Sequence, residues 1–240
     1  MVKNYAKWLG GALGWAFGGP IGGLVGFSLG MLWDNATLEV DIPRDTSGRQ
    51  THQADFAISL LVLSAAVMRA DQKVLKSELT YVKRFLNQQF GEQKSLELLR
   101  VLKDLLEKSI PLEPVCHQIA SHTNLAQRLQ LIHFLLGIAN ADGHLDKREW
   151  STIKYISELL RISDRDLESL EAMYEIDDDR YYRILEIEPG ASEQEIKSAY
   201  RKMAKKYHPD RLGDVGEEVR NAAVEKFRQV KYAYEKLKSK

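Results

Sequence analysis

Apolar positions along this chain fall into three regimes. From Trp8 to Trp33 no residue is charged over 26 positions, and Gly10, Gly14, Gly18, Gly22, Gly26 and Gly30 recur within the run at every fourth place. At about 1.5 Å per residue, a helix of this length covers a hydrocarbon core of about 30 Å. The glycines then line one face on which a second backbone can pack closely. Trp8 and Trp33 stand where a span meets the two water–lipid interfaces. The pattern predicts a Gly-rich membrane helix in residues 1–35, surrounded by lipid and able to form a homodimer through the glycine stripe. A second reading is a hairpin broken at Gly18-Gly19-Pro20, either re-entrant in lipid or packed in a soluble fold. No small-x-small site follows Trp33, which argues against a cleaved leader.

After a polar stretch from Asp41 to Gln53, carrying Pro43 and Asp45-Thr46-Ser47-Gly48, the period changes. Leu60, Leu61, Ser64, Val67 and Met68 share one helical face, as do Leu125, Leu129, Ile132 and Leu136. No comparable run alternates with period two. The fold class is therefore all-α, with a helical bundle over residues 50–175 and breaks at Gly91 and at Pro111 to Pro114. A weak repeat with a 71-residue offset matches Ala70-Asp71, Val74 and Glu78 to Ala141-Asp142, Leu145 and Glu149. Asn140, Asp142, Gly143, Leu145 and Glu149 also follow the spacing of a calcium loop, but Ile138 stands at its first ligand position and Gln72 replaces the turn glycine in the first copy. Asp71, Glu78, Asp142 and Glu149 are thus candidate metal ligands. The structural alternative gives them to turns and helix starts, with Asp146 capping and Glu149 three residues on.

The third regime is a helical hairpin. Tyr181-Tyr182-Arg183-Ile184-Leu185 forms a short helix, Pro189-Gly190 a turn, and Ser192 with Glu195 a capping box. Ile196, Ala199, Tyr200, Met203 and Tyr207 trace the buried face of a long helix, and Lys197, Arg201, Lys202, Lys205 and Lys206 its basic side. Pro209 disfavours helical geometry at His208 and stops it. A return helix follows, with a seam at Ala223, Phe227, Val230, Tyr234 and Leu237. His208, Pro209 and Asp210 lie at the tip.

Charge narrows the chemistry. Lys plus Arg and Asp plus Glu both number 34, so nothing global favours nucleic acid. The single cysteine, Cys116, excludes an internal disulfide and multi-cysteine zinc sites, and beside His117 it reads as a small buried hydrophobe rather than a nucleophile. No phosphate loop, metal-ligand histidine motif or nucleophile elbow occurs, and no nucleophile is placed beside His208 and Asp210, so an enzyme is not expected.

Ala199-Tyr200-Arg201-Lys202, Tyr207-His208-Pro209-Asp210-Arg211, Phe227 and Ala233-Tyr234 together resemble the J domain, over residues 178–240. That resemblance implies docking on a DnaK-type chaperone and stimulation of that partner's ATP hydrolysis. Lys197, Arg201, Lys202, Lys205 and Lys206 would meet an acidic groove, and His208, Pro209, Asp210 and Arg211 would reach the junction of nucleotide domain and linker. The acidic loops resemble the TerB-type domain, which is associated with metal-binding or interaction surfaces. The alternative function is accordingly a metal-sensing or envelope-stress adaptor with the J domain as a docking element. The order membrane segment, TerB-like domain, J domain resembles the membrane-anchored DjlA-type co-chaperones. It implies an inner-membrane protein with both domains cytoplasmic, without a cofactor, although Lys3 and Lys7 by a positive-inside count would keep the N-terminus cytoplasmic.

Overall fold

The computed structural model describes residues 19–21, 48–174, 179–213 and 217–238, with the side chains of 48–55, 217–219 and 221–222 outside the description. Apart from residues 19–21, where Gly19 has φ 60°, the expected membrane helix, including Trp8, Trp33 and all six stripe glycines, lies outside the described residues. Every regular element among them is helical, as the absence of period-two runs predicts.

Two compact units divide between His122 and Thr123. The first contains α1 (Gly48–Met68), α2 (Lys76–Leu106) and α3 (Leu112–His122). The second contains α4 (Leu125–Ala139), α5 (Lys147–Leu159), α6 (Asp164–Glu171), α7 (Arg180–Ile184), α8 (Glu193–Lys206), a 3-10 turn (Pro209–Leu212) and α9 (Glu217–Lys238). The division falls within the segment 50–175 that the sequence reading treats as one bundle, and each unit holds one copy of the repeat.

From Phe56 to Met68, α1 is buried on all sides rather than on one face, because this part of it is apolar nearly all round. Leu61, Val62, Leu63 and Val67 are each 1% exposed or less. Ser64 fits this setting by donating its hydroxyl to the Leu60 carbonyl at 2.6 Å. α1 packs on α2, which kinks at Gly91, where φ is 75°. Elsewhere in this unit the Ile21 N–H donates to Gln118 Oε1 at 3.0 Å.

α4 plays the corresponding part in the second unit and packs against α5, α6, α9 and the 3-10 turn. Leu129, Ile132 and Leu136 are buried as the periodicity requires, and Leu131, Leu135 and Ile138 are buried around the rest of the helix. Leu125 departs from the expectation at 40% exposure, because it is the first residue of α4. The Tyr174 hydroxyl donates to the His133 carbonyl at 3.1 Å, with the two rings 5.8 Å apart.

The repeat is a geometric one. α1 and α4 end, and α2 and α5 begin, at positions separated by the same 71 residues. Both loops place a left-handed residue at the equivalent position, Gln72 with φ 66° and Gly143 with φ 86°. The preceding aspartate forms the same turn in each: Asp71 Oδ1 accepts from Lys73 N at 2.8 Å and Asp142 Oδ1 from His144 N at 2.9 Å.

Left-handed geometry strains a residue with a Cβ by about 1–2 kcal/mol, partly offset by the unfolded-state entropy of glycine. Gln72→Gly is therefore predicted to stabilise the first unit slightly, by up to about 1 kcal/mol, and Gly143→Gln to destabilise the second by about 1 kcal/mol. An added Cβ at Gly143 meets nothing within 4 Å, so backbone strain is isolated there. Urea unfolding followed by circular dichroism checks both signs.

A pH dependence follows from His133. Although part of this residue reaches the surface, burial and then the nearby Lys226 push its imidazole pKa down to about 3. The folded state thus binds fewer protons than an unfolded histidine titrating near about 6.5. The stabilisation is complete above that value and is lost as pH falls toward about 3. Between pH 7 and pH 4 the urea midpoint should fall, and should fall less in His133→Phe, which keeps a ring beside Tyr174 without the titrating nitrogen.

Candidate partner-docking site

The site is built from the end of α8, the 3-10 turn and the start of α9. Ser192 caps α8 as its sequence predicts, with Ser192 N donating to Glu195 Oε2 at 2.8 Å and Glu195 N to Ser192 Oγ at 3.4 Å. Ile196, Ala199 and Met203 face the core, and Tyr200 stacks on Tyr234 with centroids 4.4 Å apart. Tyr207 closes the helix, His208 is extended with ψ 129°, and Pro209 opens the 3-10 turn with its missing N–H at a position that needs none.

His208 stands edge-on to Phe227, with ring centroids 5.9 Å apart. Its Nδ1 accepts the Asp210 N–H at 3.3 Å. In the tautomer that keeps this bond Nδ1 carries no proton. It therefore has none to donate to Asp210 Oδ2 at 3.5 Å, and the Asp210 side chain is 84% exposed. The tripeptide thus presents a carboxylate to solvent on a turn held by its own neighbours, suited to a charge-assisted bond with a basic group.

Lys197, Arg201, Lys202, Lys205 and Arg211 are exposed around it. Lys206 is not available in the same way. Its side chain is 17% exposed and pairs with Asp166 and, at 2.6 Å, with Glu186 Oε1. The reason is periodic: Lys206 follows Ala199 and Met203 by seven and three positions and so shares their inward line. Lys202 also reaches Glu186 Oε2, at 3.2 Å, while remaining 65% exposed.

Sequence reasoning missed Lys226. It lies among the seam residues of α9 and is 2% exposed. Its Nζ has no hydrogen-bond partner and sits over the Tyr207 ring, 3.6 Å from the centroid. Burial drives its pKa well below the usual lysine value, with Asp166 opposing the shift. Tyr207 is pushed well above the usual tyrosine value, by burial first and then by Asp166 and Glu186. Lys226, Gln130, Tyr207, His208 and Leu212 line a cavity of about 10 Å³, the size of one water. The available signal was spacing, since Lys226 is three residues from Ala223 and four from Val230.

The metal candidates serve their own loops. Asp71 and Asp142 accept within the two turns described above, and buried Glu78 accepts from Leu75 N at 2.6 Å through Oε2. Glu149 is buried in the first turn of α5, whose cap is Asp146, accepting from Arg148 N at 2.7 Å. Among the described residues no three His, Cys, Asp or Glu side chains cluster to hold a metal. Cys116 is buried, and burial followed by Glu113 pushes its thiol up to about 12, which removes it as a nucleophile near neutral pH.

Three family models match the chain in succession: the co-chaperone DjlA transmembrane domain over residues 4–50, tellurite resistance protein TerB over 57–172, and the DnaJ domain over 180–240. The transmembrane-domain match supports a membrane-anchored protein, while no helix among the described residues is long and apolar enough to cross a membrane. The human DnaJ homolog subfamily A member 2 is 45% identical over 65 residues, 27% of this chain and 14% of that protein. The Curved DNA-binding protein of Pseudomonas syringae is 48% identical over 59 residues, 25% of this chain and 17% of that protein. The chain thus spans only about a seventh of the first of these relatives, and this likeness concerns the J domain. Co-chaperone protein DjlA of Photobacterium profundum is 24% identical over 273 residues, covering 98% of each chain. No solved structure gives a significant match. The chain thus carries a DjlA-type transmembrane domain, a TerB domain and a DnaJ domain in succession, and in that order and over its full length it is similar to the DjlA-like, membrane-anchored co-chaperones of the DnaJ family.

Proposed function

We propose that the chain docks on a DnaK-type chaperone through its J domain and stimulates that partner's ATP hydrolysis, performing no hydrolysis itself. The observation that carries this reading is the solvent-facing Asp210 carboxylate on the His208-Pro209 turn, next to the exposed cations of α8. Lys197, Arg201, Lys202 and Lys205 steer an acidic partner and set its register, and Asp210 engages a basic group at the end of the approach. Lys206 contributes to the fold rather than to docking. Residues 1–35 anchor the chain in the inner membrane, with both domains cytoplasmic and the glycine stripe pairing two copies. Disulfide trapping of Gly18→Cys in membranes tests the pairing.

Single-turnover ATP hydrolysis by DnaK, measured with the full-length chain in detergent, tests the docking reading. His208→Gln or Asp210→Asn should return hydrolysis to its unstimulated rate with helical content unchanged. Wild-type stimulation by either variant would overturn the reading.

The two neighbouring lysines should separate. Lys205→Ala is expected to weaken docking through slower association, more so at low salt, and to leave stability alone. Lys206→Ala removes one member of a buried charge group and should cost about 3–5 kcal/mol in urea unfolding. Equal effects of both variants on stability would contradict this division.

A further inference from the structure

The docking turn is held from outside its own hairpin. α4 begins at Leu125, and its cap is a reciprocal pair: Gln127 N donates to Asn124 Oδ1 at 3.0 Å and Asn124 N donates to Gln127 Oε1 at 2.9 Å. Each of these amides also has a second end. Asn124 Nδ2 donates to the Arg211 carbonyl at 3.2 Å, and Gln127 Nε2 donates to the Leu212 carbonyl at 3.0 Å. Two consecutive carbonyls following Asp210 are thus fixed by the first turn of a helix more than 80 residues earlier in the chain.

The chemistry of the pair matters because a cap alone does not require it. Serine or aspartate with glutamate three residues on caps a helix equally well. An amide offers an acceptor for the cap and, on a separate atom, a donor that reaches a neighbouring carbonyl, whereas a carboxylate has no donor and a hydroxyl must serve both from one oxygen. Carbonyls at the end of a short helical turn lack partners within it, so Arg211 and Leu212 would otherwise turn to water. Within the turn, the Arg211 N–H bonds to the His208 carbonyl at 3.0 Å. Restraining the Arg211 carbonyl therefore restrains the geometry around His208, Pro209 and Asp210.

We propose that Asn124 and Gln127, which lie within the TerB match, are positioning residues for the His208-Pro209-Asp210 turn. They preset the tripeptide so that docking does not have to order it. This inference rests on the DnaK-docking reading for its functional consequence, though not for the anchoring itself.

The test is the double variant Asn124→Asp with Gln127→Glu in the full-length chain in detergent. Both replacements are nearly isosteric, keep the cap acceptors and place negative charge at a helix N-terminus, where it is favourable. They remove both donors to the turn and set carboxylate oxygens against its carbonyls. Helical content should be unchanged, whereas hydrogen–deuterium exchange across residues 208–213 should accelerate by about fivefold or more. The concentration giving half-maximal DnaK stimulation should rise about tenfold with the maximal rate retained, in contrast to Asp210→Asn, which loses the stimulation. Unchanged exchange overturns the anchoring, and faster exchange with an unchanged half-maximal concentration overturns the functional role. If the wild-type chain fails to stimulate DnaK, the docking reading and the functional role fall together, and the exchange rates alone decide whether α4 anchors the turn.

Discussion

The arrangement of the second unit depends on one buried carboxylate. Asp166 in α6 is 5% exposed and receives the Ser163 hydroxyl at 2.6 Å, the Lys206 ammonium and, at 3.5 Å, the Tyr207 hydroxyl. Burying such a charge is costly unless its lone pairs are satisfied, and replacing a partner leaves the cost without compensation. Glu186 supplies a second carboxylate to the same lysine. This group does not make the unit stable by itself, since a well-packed apolar cluster can do as well. Its effect is on specificity: α8 cannot rotate about its axis without exposing apolar residues and stranding Asp166.

The choice of docking face follows from that restraint. Once Lys206 is committed to Asp166 and Glu186, the outward cations are Lys197, Arg201, Lys202 and Lys205. The same rotation seats Tyr207 over Lys226 and brings the 3-10 turn against α4. The Ser169 hydroxyl adds a bond to the Ile184 carbonyl at 2.9 Å and ties α6 to α7. The J domain is consequently bonded into the second half of the TerB match rather than tethered beside it.

The acidic loops show how a sequence pattern can serve geometry before ligand chemistry. A left-handed residue after an aspartate recurs in both copies because each connects a buried helix to the next by the same turn. Glycine meets that need in one loop and glutamine meets it under strain in the other. Of the carboxylates that suggested metal binding, Asp71, Glu78 and Asp142 are acceptors for nearby backbone N–H groups, which must be satisfied whether or not a cation binds.

The helical class, the capping box at Ser192 and Glu195, the stop before Pro209 and the exposed tripeptide were all legible from sequence, because each is set by local backbone chemistry and the helical period. The domain order was legible for the same reason, carried by motifs rather than by packing. Leu125, Lys206 and Lys226 were misassigned or missed. Leu125 shares the spacing of buried residues but lies at a helix start, Lys206 belongs to an apolar line despite its charge, and Lys226 is covered by elements distant in sequence. The bonds from Asn124 and Gln127 to Arg211 and Leu212 had no local signature either, since a cap reads the same whether its spare donors meet water or a carbonyl. Those features required the tertiary structure because burial of a charge and the partner of an amide depend on which elements come together, and neither periodicity nor capping preference encodes that choice.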